Sequence, residues 1–205
     1  MNTKKIPDII VGRLPVYLRA LQRMADMGLK TTSSQELGEH VGISAAQIRK
    51  DISQFGEFGK QGTGYSIEFL LDKLREILKV DRIWDVVVVG AGDMGHAVAN
   101  YQGFQDRGFR VVAIFDNDKS KVGMKIGNFV VEDTEVMVDR IRTADIKIAM
   151  LSVPASAAQD VADKLVQAGV RAILNYAPIS LNVPNQVKVQ YIDPSTHLQR
   201  MTFYL

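Results

Sequence analysis

The feature that most constrains the fold of this chain is a glycine-rich segment between a β-rich run and a helical one. The segment is Gly90-Ala91-Gly92-Asp93-Met94-Gly95, which has the spacing G-x-G-x-x-G. It directly follows Val86-Val87-Val88-Val89, an all-apolar run typical of a strand buried on both faces of a parallel sheet. In this strand–loop–helix context the six residues predict a dinucleotide-binding loop.

Each glycine of this loop has its own physical reason. Gly90 permits the tight turn, and Gly92 lets a pyrophosphate approach the backbone because it has no Cβ atom. Gly95 lets the following helix pack closely against the strand. The first N–H groups of that helix then face the phosphates.

A carboxylate follows the next strand candidate. The run from Val111 to Phe115 ends at Asp116, 26 residues after Gly90. A carboxylate there accepts both ribose hydroxyls of an adenosine and repels the 2′-phosphate of NADP, so the sequence predicts NAD⁺ or NADH as the cofactor. The neighbouring Lys119 and Lys121 are placed to screen that charge or to reach a phosphate, but solvated side chains are the expectation.

Strand and helix candidates alternate along the rest of the chain, which predicts a doubly wound α/β domain. The further strand candidates cover residues 129–131, 146–153, 172–174 and 187–192, and the helix candidates cover 94–107, 134–142 and 157–169. Ligands of such sheets bind beyond the carboxyl ends of the strands. The loops 152–156 and 175–179 should therefore rim the cofactor, with Val153, Pro154, Ala177 and Pro178 as contacts.

The first 80 residues have helical periodicity instead. Val11 to Ala25 is an amphipathic helix interrupted by Pro15. Two capping boxes, Ser33 with Glu36 and Ser44 with Gln47, start two short helices that flank a glycine turn, as in a helix-turn-helix. The glycines of residues 59–65 suit the tip of a β-hairpin, and a helix over residues 68–79 follows, so the whole predicts a winged helix.

The second helix of a helix-turn-helix enters the major groove of DNA. With Ile48 and Ile52 buried, the exposed arc of this helix and its N-cap supply the candidate DNA contacts, and Lys60 at the wing tip reaches the minor groove. These candidates are Ser44, Ala45, Ala46, Gln47, Arg49, Lys50, Ser53 and Lys60. A winged helix that contacts protein instead is the alternative.

Composition narrows the function. The 205 residues include no cysteine and three scattered histidines, which excludes thiolate chemistry and gives no indication of a metal site. Residues 1–80 carry 12 Lys and Arg against 9 Asp and Glu, a mild basic excess compatible with nucleic acid. No apolar run reaches the ~20 residues of a membrane span, and no apolar region of a secretory signal follows the first lysines.

Nothing in the chain suggests a catalytic site. His96 begins the helix after the glycine loop, and only about a dozen residues remain after the predicted dinucleotide fold, too few for a substrate domain. We therefore expect no enzymatic activity. A small NAD-dependent oxidoreductase with an accessory basic domain is the main alternative, and a nucleotide-binding subunit of the CoA type is a third possibility.

Three segments together carry a resemblance that covers essentially the whole chain. The run from Ile48 to Gly59 (IRKDISQFGEFG), the loop Gly90 to Gly95 and Asn175-Tyr176-Ala177-Pro178 strongly resemble the Rex family of bacterial redox-sensing transcriptional repressors. The resemblance implies a homodimer that binds an inverted-repeat operator and is released when NADH replaces NAD⁺. Tyr176 departs from the family, in which phenylalanine is commoner there.

The resemblance also implies the domain organisation. We expect a winged-helix domain over residues 1–80, a Rossmann domain over 81–192 and a dimerisation helix over 193–205, exchanged with the partner subunit, in a cytoplasmic protein. From the residues themselves, Asp193 and Pro194 are suited to start that helix, and docking within its own subunit stays open. By the same resemblance Arg19, Tyr101 and Asp193 are candidates for a switch network.

Overall fold

A computed structural model describes residues 6–56, 58 and 64–205, and it divides into two compact units, Met1–Arg82 and Ile83–Leu205. The predicted boundary between residues 80 and 81 lies close to this division. Each unit has a hydrophobic core of its own.

Four helices and a small antiparallel ladder build the first unit. They are α1 (Asp8–Asp26), β1 (Thr31–Thr32), α2 (Ser34–Val41), α3 (Ala45–Ile52), β2 (Tyr65–Ser66) and α4 (Ile67–Leu78). Apolar side chains of all four helices form one core around the fully buried Leu14, Leu21, Ile48 and Leu70. Pro15 is accommodated inside α1.

The two predicted helix starts differ in detail. At α2 the capping box is complete, because the Ser33 hydroxyl accepts from Glu36 N while the Glu36 carboxylate accepts from Ser33 N. At α3 the Ser44 hydroxyl accepts from Gln47 N at 3.3 Å, but the Gln47 amide bonds to Asp51 instead of returning to the N-cap. The prediction of a second capping box was therefore wrong, because a buried carboxylate competes for the glutamine.

The turn between α2 and α3 follows the prediction. Gly42 has a left-handed backbone with φ of 69°, and its N–H donates to Gly38 O at 2.8 Å. The predicted wing falls largely outside the described residues, and so does Lys60. The C-terminal side of the wing is strand β2, which pairs antiparallel with β1 through Thr32 and Tyr65.

The second unit is built on a seven-stranded sheet. Its elements are β3 (Trp84–Val89), α5 (Asp93–Ala99), a 3-10 helix (Gln102–Arg107), β4 (Phe109–Asp116), β5 (Lys125–Ile126), β6 (Phe129–Asp133), α6 (Thr134–Thr143), β7 (Ile148–Leu151), α7 (Ala155–Ala168), β8 (Ala172–Asn175), β9 (Lys188–Tyr191) and α8 (Pro194–Thr202). The strand order is β5-β6-β4-β3-β7-β8-β9, with only β5 antiparallel. The six parallel strands have the Rossmann order.

The four valines of β3 behave as their sequence predicts. Val87 and Val89 are buried in the core on one face of the sheet, and Val86 and Val88 are buried in the core on the other face. A strand covered on both faces cannot be amphipathic, which explains the uniform run of valines.

The helix predicted over residues 94–107 is interrupted. Helix α5 ends at Ala99, where the Asn100 side chain donates to His96 O at 2.9 Å, and a 3-10 helix begins after Tyr101. An asparagine side chain that bonds the preceding turn competes with the helical backbone. Tyr101 therefore lies at the junction rather than within the Rossmann helix as predicted.

Helix α8 begins as its sequence predicts and exposes its apolar side chains. The Asp193 carboxylate accepts from Ser195 N at 2.9 Å, and Pro194 occupies the first turn. Leu198, Met201 and Phe203 are 62%, 63% and 85% exposed in the single chain.

Candidate functional site

A cleft of about 620 Å³ opens beyond the carboxyl ends of the neighbouring strands β3 and β7 in the second unit. The chain leaves β3 toward β4 on one side and leaves β7 toward β8 on the other, so this is the point at which the strand order reverses. Open α/β sheets bind ligands at that point. Of the predicted cofactor residues, the cleft wall contains Gly90, Gly92, Asp93, Met94, Asp116, Val153 and Pro154.

The three glycines of the loop are required for different reasons, and the structure agrees with each. Gly90 has φ of 103°, and a Cβ atom there would meet the carbonyl oxygen of Ser152. A Cβ atom on Gly95 would meet the carbonyl oxygen of Gly90. Gly92 has no atom within 4 Å of that position, so its bare backbone faces open space in the cleft. A dinucleotide pyrophosphate fits that space, which any side chain would occupy.

Asp116 ends β4 beside the loop and is 6% exposed. Its carboxylate accepts from Ala91 N at 2.7 Å and from Asp118 N at 2.9 Å, and Lys121 Nζ lies 3.3 Å away. Burial acts to raise the pKa of Asp116, but these two backbone donors and the Lys121 ammonium outweigh it and hold the pKa below its ordinary value. Asp116 is therefore ionised at neutral pH, and it organises the glycine loop as well as facing the cleft.

Two lysines that follow Asp116 are paired rather than simply solvated. Lys121 pairs with Asp116 and lines the cleft, while Lys119 bonds to Asp133 and, at 3.0 Å, to Glu135. Lys119 stays exposed while it pairs, whereas Lys121 screens the charge of Asp116, the other role that its position allowed. Lys119 meets partners 14 and 16 residues later, and Lys121 meets Asp116 across the turn after β4, so periodicity carried no signal for either pairing.

Further cleft residues were not predicted from sequence. They are Asn117, Asp118, Thr134, Met137, Ala157, Asp160, Val161 and Lys164, whereas Ser152 belongs to the predicted 152–156 loop. Several of them lie on α6 and α7, whose starts face the cleft. The rule that ligands lie beyond the carboxyl ends of strands points to these starts, but the sequence does not say which side chains turn inward.

The 175–179 loop is fixed by a buried side chain. Asn175, 1% exposed, accepts from Ala177 N at 2.9 Å and donates to the carbonyls of Ala177 and Ile179 at 3.1 and 3.0 Å. Ala177 is buried and Pro178 is exposed, and neither belongs to the wall of the cleft. Ala91 and Gly95 also lie behind that wall, as supports of the loop.

In the first unit, the predicted DNA contacts separate into two groups. Ala46, Arg49, Lys50 and Ser53 are exposed on one face of α3, with Ser44 exposed at its N-cap. Arg49 Nη1 donates to Ser34 Oγ at 2.9 Å, and Ser53 Oγ donates to Lys50 O at 2.9 Å. Ala45 and Gln47 are only half-exposed, and the Gln47 amide is held by Asp51.

A buried carboxylate lies on the opposite side of α3. Asp51 is completely buried and accepts from Arg13 Nε at 2.6 Å, Arg13 Nη2 at 2.7 Å and the Tyr17 hydroxyl at 2.7 Å. Gln47 Nε2 donates to it at 2.6 Å. Burial acts to raise the pKa of Asp51, but the bonds from Arg13, Tyr17 and Gln47 prevail and lower the pKa. No local sequence motif points to this cluster, because Arg13 and Tyr17 lie more than 30 residues before Asp51.

Two of the three predicted switch residues, Tyr101 and Asp193, have local partners. The Tyr101 hydroxyl accepts from Arg107 Nη1 at 2.6 Å, and its ring stands edge-on to Phe104. Asp193 caps α8, and bonds from Ser195 hold its pKa below the ordinary value. Arg19 is exposed on α1 of the other unit. Their joint role as a switch stays a prediction.

The described part of the chain offers neither a metal-ion cluster nor a membrane-spanning helix. Among residues 6–56, 58 and 64–205, no group of three His, Asp or Glu side chains is arranged to hold a metal ion. None of the helices in this part of the chain is long and apolar enough to cross a membrane.

Comparison with known families gives two matches. Residues 81–179 match the family model described as "CoA binding domain". Residues 5–53 match the model described as "Putative DNA-binding protein N-terminus".

Full-length relatives are similar over nearly the whole chain. The "Redox-sensing transcriptional repressor Rex" of Chloroflexus aggregans is 49% identical over 199 residues, which cover 97% of this chain and 94% of that protein. The protein of the same name from Pelotomaculum thermopropionicum is 45% identical over 205 residues, covering 100% and 96%.

Solved structures agree. The crystal structure of RSP in complex with β-NAD⁺ and operator DNA superposes with a TM-score of 0.92 at 39% identity, covering 97% of this chain and 92% of that one. RSP in complex with β-NADH gives a TM-score of 0.89 at 36% identity, covering 98% and 94%. RSP is described as a Rex-family repressor.

Proposed function

This chain belongs to the Rex family of redox-sensing transcriptional repressors, and from that premise we propose that it binds operator DNA and reads the ratio of NADH to NAD⁺. The relatives are repressors and not enzymes. The observation that carries the proposal is the bare backbone of Gly92 facing the cleft beside the ionised Asp116. These features suit a pyrophosphate and an adenosine ribose.

The residues of the second unit divide the work of binding. Gly90, Gly92, Asp93 and Met94 bind the pyrophosphate, with Ala91 and Gly95 as supports, and Asp116 binds the ribose. Val153 and Pro154 bind the remainder of the cofactor at the edge of the cleft. The 175–179 loop lies beyond that edge on the nicotinamide side, with Pro178 exposed and Ala177 buried as its support. The bound dinucleotide supplies the redox signal through its ring, which is charged and planar in NAD⁺ but neutral in NADH.

The exposed face of α3 supplies the DNA contacts. Arg49 and Lys50 bind phosphates or guanine edges, Ala46 allows close approach to the bases, and Ser44 and Ser53 bind the backbone at the two helix ends. Ala45 supports that approach from a half-exposed position. Gln47 is a weaker candidate because Asp51 holds its amide. Lys60 is proposed from sequence alone as the wing contact.

NADH releases the protein from DNA only through different affinities for the two arrangements of a dimer. A tenfold difference corresponds to ~1.4 kcal/mol per site, and two sites roughly double it. A homodimer on an inverted repeat, joined through the apolar face of α8, provides those two sites. Arg19, Tyr101 and Asp193 form the switch that couples them.

The protein acts in the cytoplasm, and its chain has three functional parts. Residues 1–80 form the DNA-binding part, residues 81–192 the cofactor-binding part and residues 193–205 the dimerisation part.

A titration of protein–operator complex with each cofactor tests the proposal. The operator is a duplex selected from a random library by the protein itself, and binding is followed by fluorescence anisotropy. NADH should release the duplex at concentrations at which NAD⁺ does not. Operator binding that is unchanged by saturating NADH would overturn the proposal. A titration with CoA in place of NADH tests the alternative that the chain is a nucleotide-binding subunit of the CoA type. Turnover of NADH would indicate the alternative of a small oxidoreductase.

A further inference from the structure

Asp51 is a completely buried carboxylate on the helix that faces DNA, and it joins that helix to α1. Its four hydrogen bonds come from two side chains of α1, Arg13 and Tyr17, and from Gln47 one turn earlier on α3. A carboxylate has about four lone-pair sites, so this one is fully satisfied. No described buried side chain lacks a hydrogen-bond partner, which agrees with a completed cluster.

The cluster lies opposite the proposed DNA-contacting face. At about 100° per residue, Ile48, Asp51 and Ile52 share the inner side of α3. Ala46, Arg49, Lys50 and Ser53 fall within about 100° of one another on the other side, and all four are exposed. The contacts that fix the rotation of the inner face of α3 therefore also fix the direction in which its exposed side chains point.

Apolar contacts constrain the rotation of this helix less sharply than directional hydrogen bonds do. Helix α3 has eight residues, and Ile48 and Ile52 are its buried apolar side chains. Hydrophobic burial is non-directional, whereas a bidentate Arg–carboxylate pair requires aligned groups. A rotation of about 25° moves a side-chain tip at about 6 Å from the helix axis by roughly 2.5 Å, which is more than a hydrogen bond to a base tolerates.

We propose that Arg13, Tyr17 and Asp51 are positioning residues for operator recognition, whose hydrogen-bonded cluster sets how α3 is turned toward the bases. This inference rests on the proposed function and deepens it. The cluster contributes to discrimination between DNA sequences, whereas Arg49 and Lys50 supply the sequence-independent attraction to the phosphates.

The deciding variant replaces the ion pair by apolar side chains of similar volume, Arg13→Met/Asp51→Leu. Such replacements of an ion pair are often neutral for stability or raise it, but the buried Tyr17 hydroxyl and the Gln47 amide lose their acceptor, so thermal unfolding is measured beside binding to separate folding from positioning. The matched control is Lys73→Gln/Glu76→Gln, which removes the same two charges from an exposed pair on α4 whose Nζ–Oε2 distance is 2.7 Å.

The readout is the ratio of affinities for the selected operator and for a scrambled duplex of the same length, measured over a series of salt concentrations. We expect the Arg13→Met/Asp51→Leu ratio to fall about tenfold or more, with the scrambled-duplex affinity and the salt slope unchanged. The Lys73→Gln/Glu76→Gln control should bind the operator and the scrambled duplex with the wild-type affinities. NADH binding should be unchanged in both variants.

A variant that keeps the thermal stability and the operator-to-scrambled ratio of the wild type overturns the inference. If the double variant does not fold, Tyr17→Phe decides, because it removes a single hydroxyl from the cluster. Its ratio should fall by about threefold, and an unchanged ratio is again contrary to the inference. A wild-type protein that does not bind the selected duplex in an NADH-sensitive manner contradicts the proposed function instead.

Discussion

The carboxylate of Asp116 accepts the backbone N–H of Ala91 at 2.7 Å, so the residue that ends β4 also holds the glycine loop that follows β3. One side chain therefore serves two purposes at the cofactor cleft. It presents an ionised oxygen to the cleft in which we propose that the ribose binds, and it stabilises the glycine loop that lines the same cleft. A change at this position should affect both the affinity for the cofactor and the choice between related cofactors.

Asp116→Ser should shift the preference from NADH toward NADPH. The substitution releases Ala91 N–H, Asp118 N–H and Lys121 Nζ, three donors that now converge on the carboxylate and that suit a 2′-phosphate. We expect the ratio of NADH to NADPH affinity to fall about tenfold or more, ~1.4 kcal/mol, in fluorescence titrations. Asp118→Asn, which removes a charge from the same cleft, should change the ratio less. An unaltered ratio in Asp116→Ser would refute this account of specificity.

Gly92→Ala and Gly95→Ala should separate cofactor binding from folding. The new methyl group at position 92 enters open space in the cleft, so stability should be kept while NADH affinity falls about tenfold. At position 95 the methyl group meets the carbonyl of Gly90, and overpacking of this kind costs about 1–3 kcal/mol. Thermal unfolding and NADH titration of both variants give the comparison. Equal losses of stability would show that the two glycines have the same role.

Lys50→Ala should weaken DNA binding without affecting the cofactor. Lys50 is exposed on α3, and loss of one phosphate contact should reduce the slope of log affinity against log salt by about one. NADH affinity should stay at the wild-type value, and Lys188→Ala, an exposed lysine of the other unit, is the control for net charge. Loss of NADH binding in a folded Lys50→Ala protein would contradict the division of labour between the units.

Acid should destabilise the protein through its buried carboxylates. The pKa values of Asp51 and Asp116 are lowered in the folded state, so their bonds stabilise it above the unfolded pKa of about 3.9. That stabilisation is lost as the pH falls through the lower folded values. Urea unfolding between pH 7 and pH 2.5 should show the loss below about pH 4, with a smaller loss in Arg13→Met/Asp51→Leu. Identical acid profiles for this variant and the wild type would exclude a contribution from Asp51.

The exposed apolar face of α8 should be an interface between two copies of the chain. Leu198→Ser/Met201→Ser removes two side chains that are more than half exposed in the single chain. The mass in solution, measured by light scattering after gel filtration, should fall from that of a dimer to that of a monomer. Gln199→Ser on the same helix should leave the dimer intact. A dimer that survives the double substitution would place the interface elsewhere.

Local sequence signals predicted most elements because their causes lie within a few residues. The valines of β3, the Ser33–Glu36 capping box and the left-handed Gly42 need no knowledge of distant partners. The prediction was wrong where a local signal met a competitor. Asn100 ends α5 by bonding to His96 O, whereas apolar periodicity favoured a longer helix.

The cofactor cleft was partly predictable for the same reason. The loop Gly90–Gly95 and Asp116 follow from spacing, but the pairing of Lys121 with Asp116 depends on how the chain turns after β4. Helix α3 shows the limit more clearly. Its exposed face could be assigned from Ile48 and Ile52, whereas the burial of Asp51, to which the Gln47 amide bonds, depends on Arg13 and Tyr17 from a helix more than 30 positions earlier.

The crowding between the ends of β3 and β7 also limits how this sequence can drift over evolution. Gly90 and Gly95 have no room for a methyl group, and Ser152 fills the remaining gap by donating to the carbonyl of Gly90 at 2.9 Å. These three positions form one steric unit, so accepted mutations should occur there in concert or not at all. At Gly92 an added Cβ atom would meet nothing, so only the dinucleotide that we propose there forbids a side chain, and a descendant that abandoned the dinucleotide would be free to replace this glycine first.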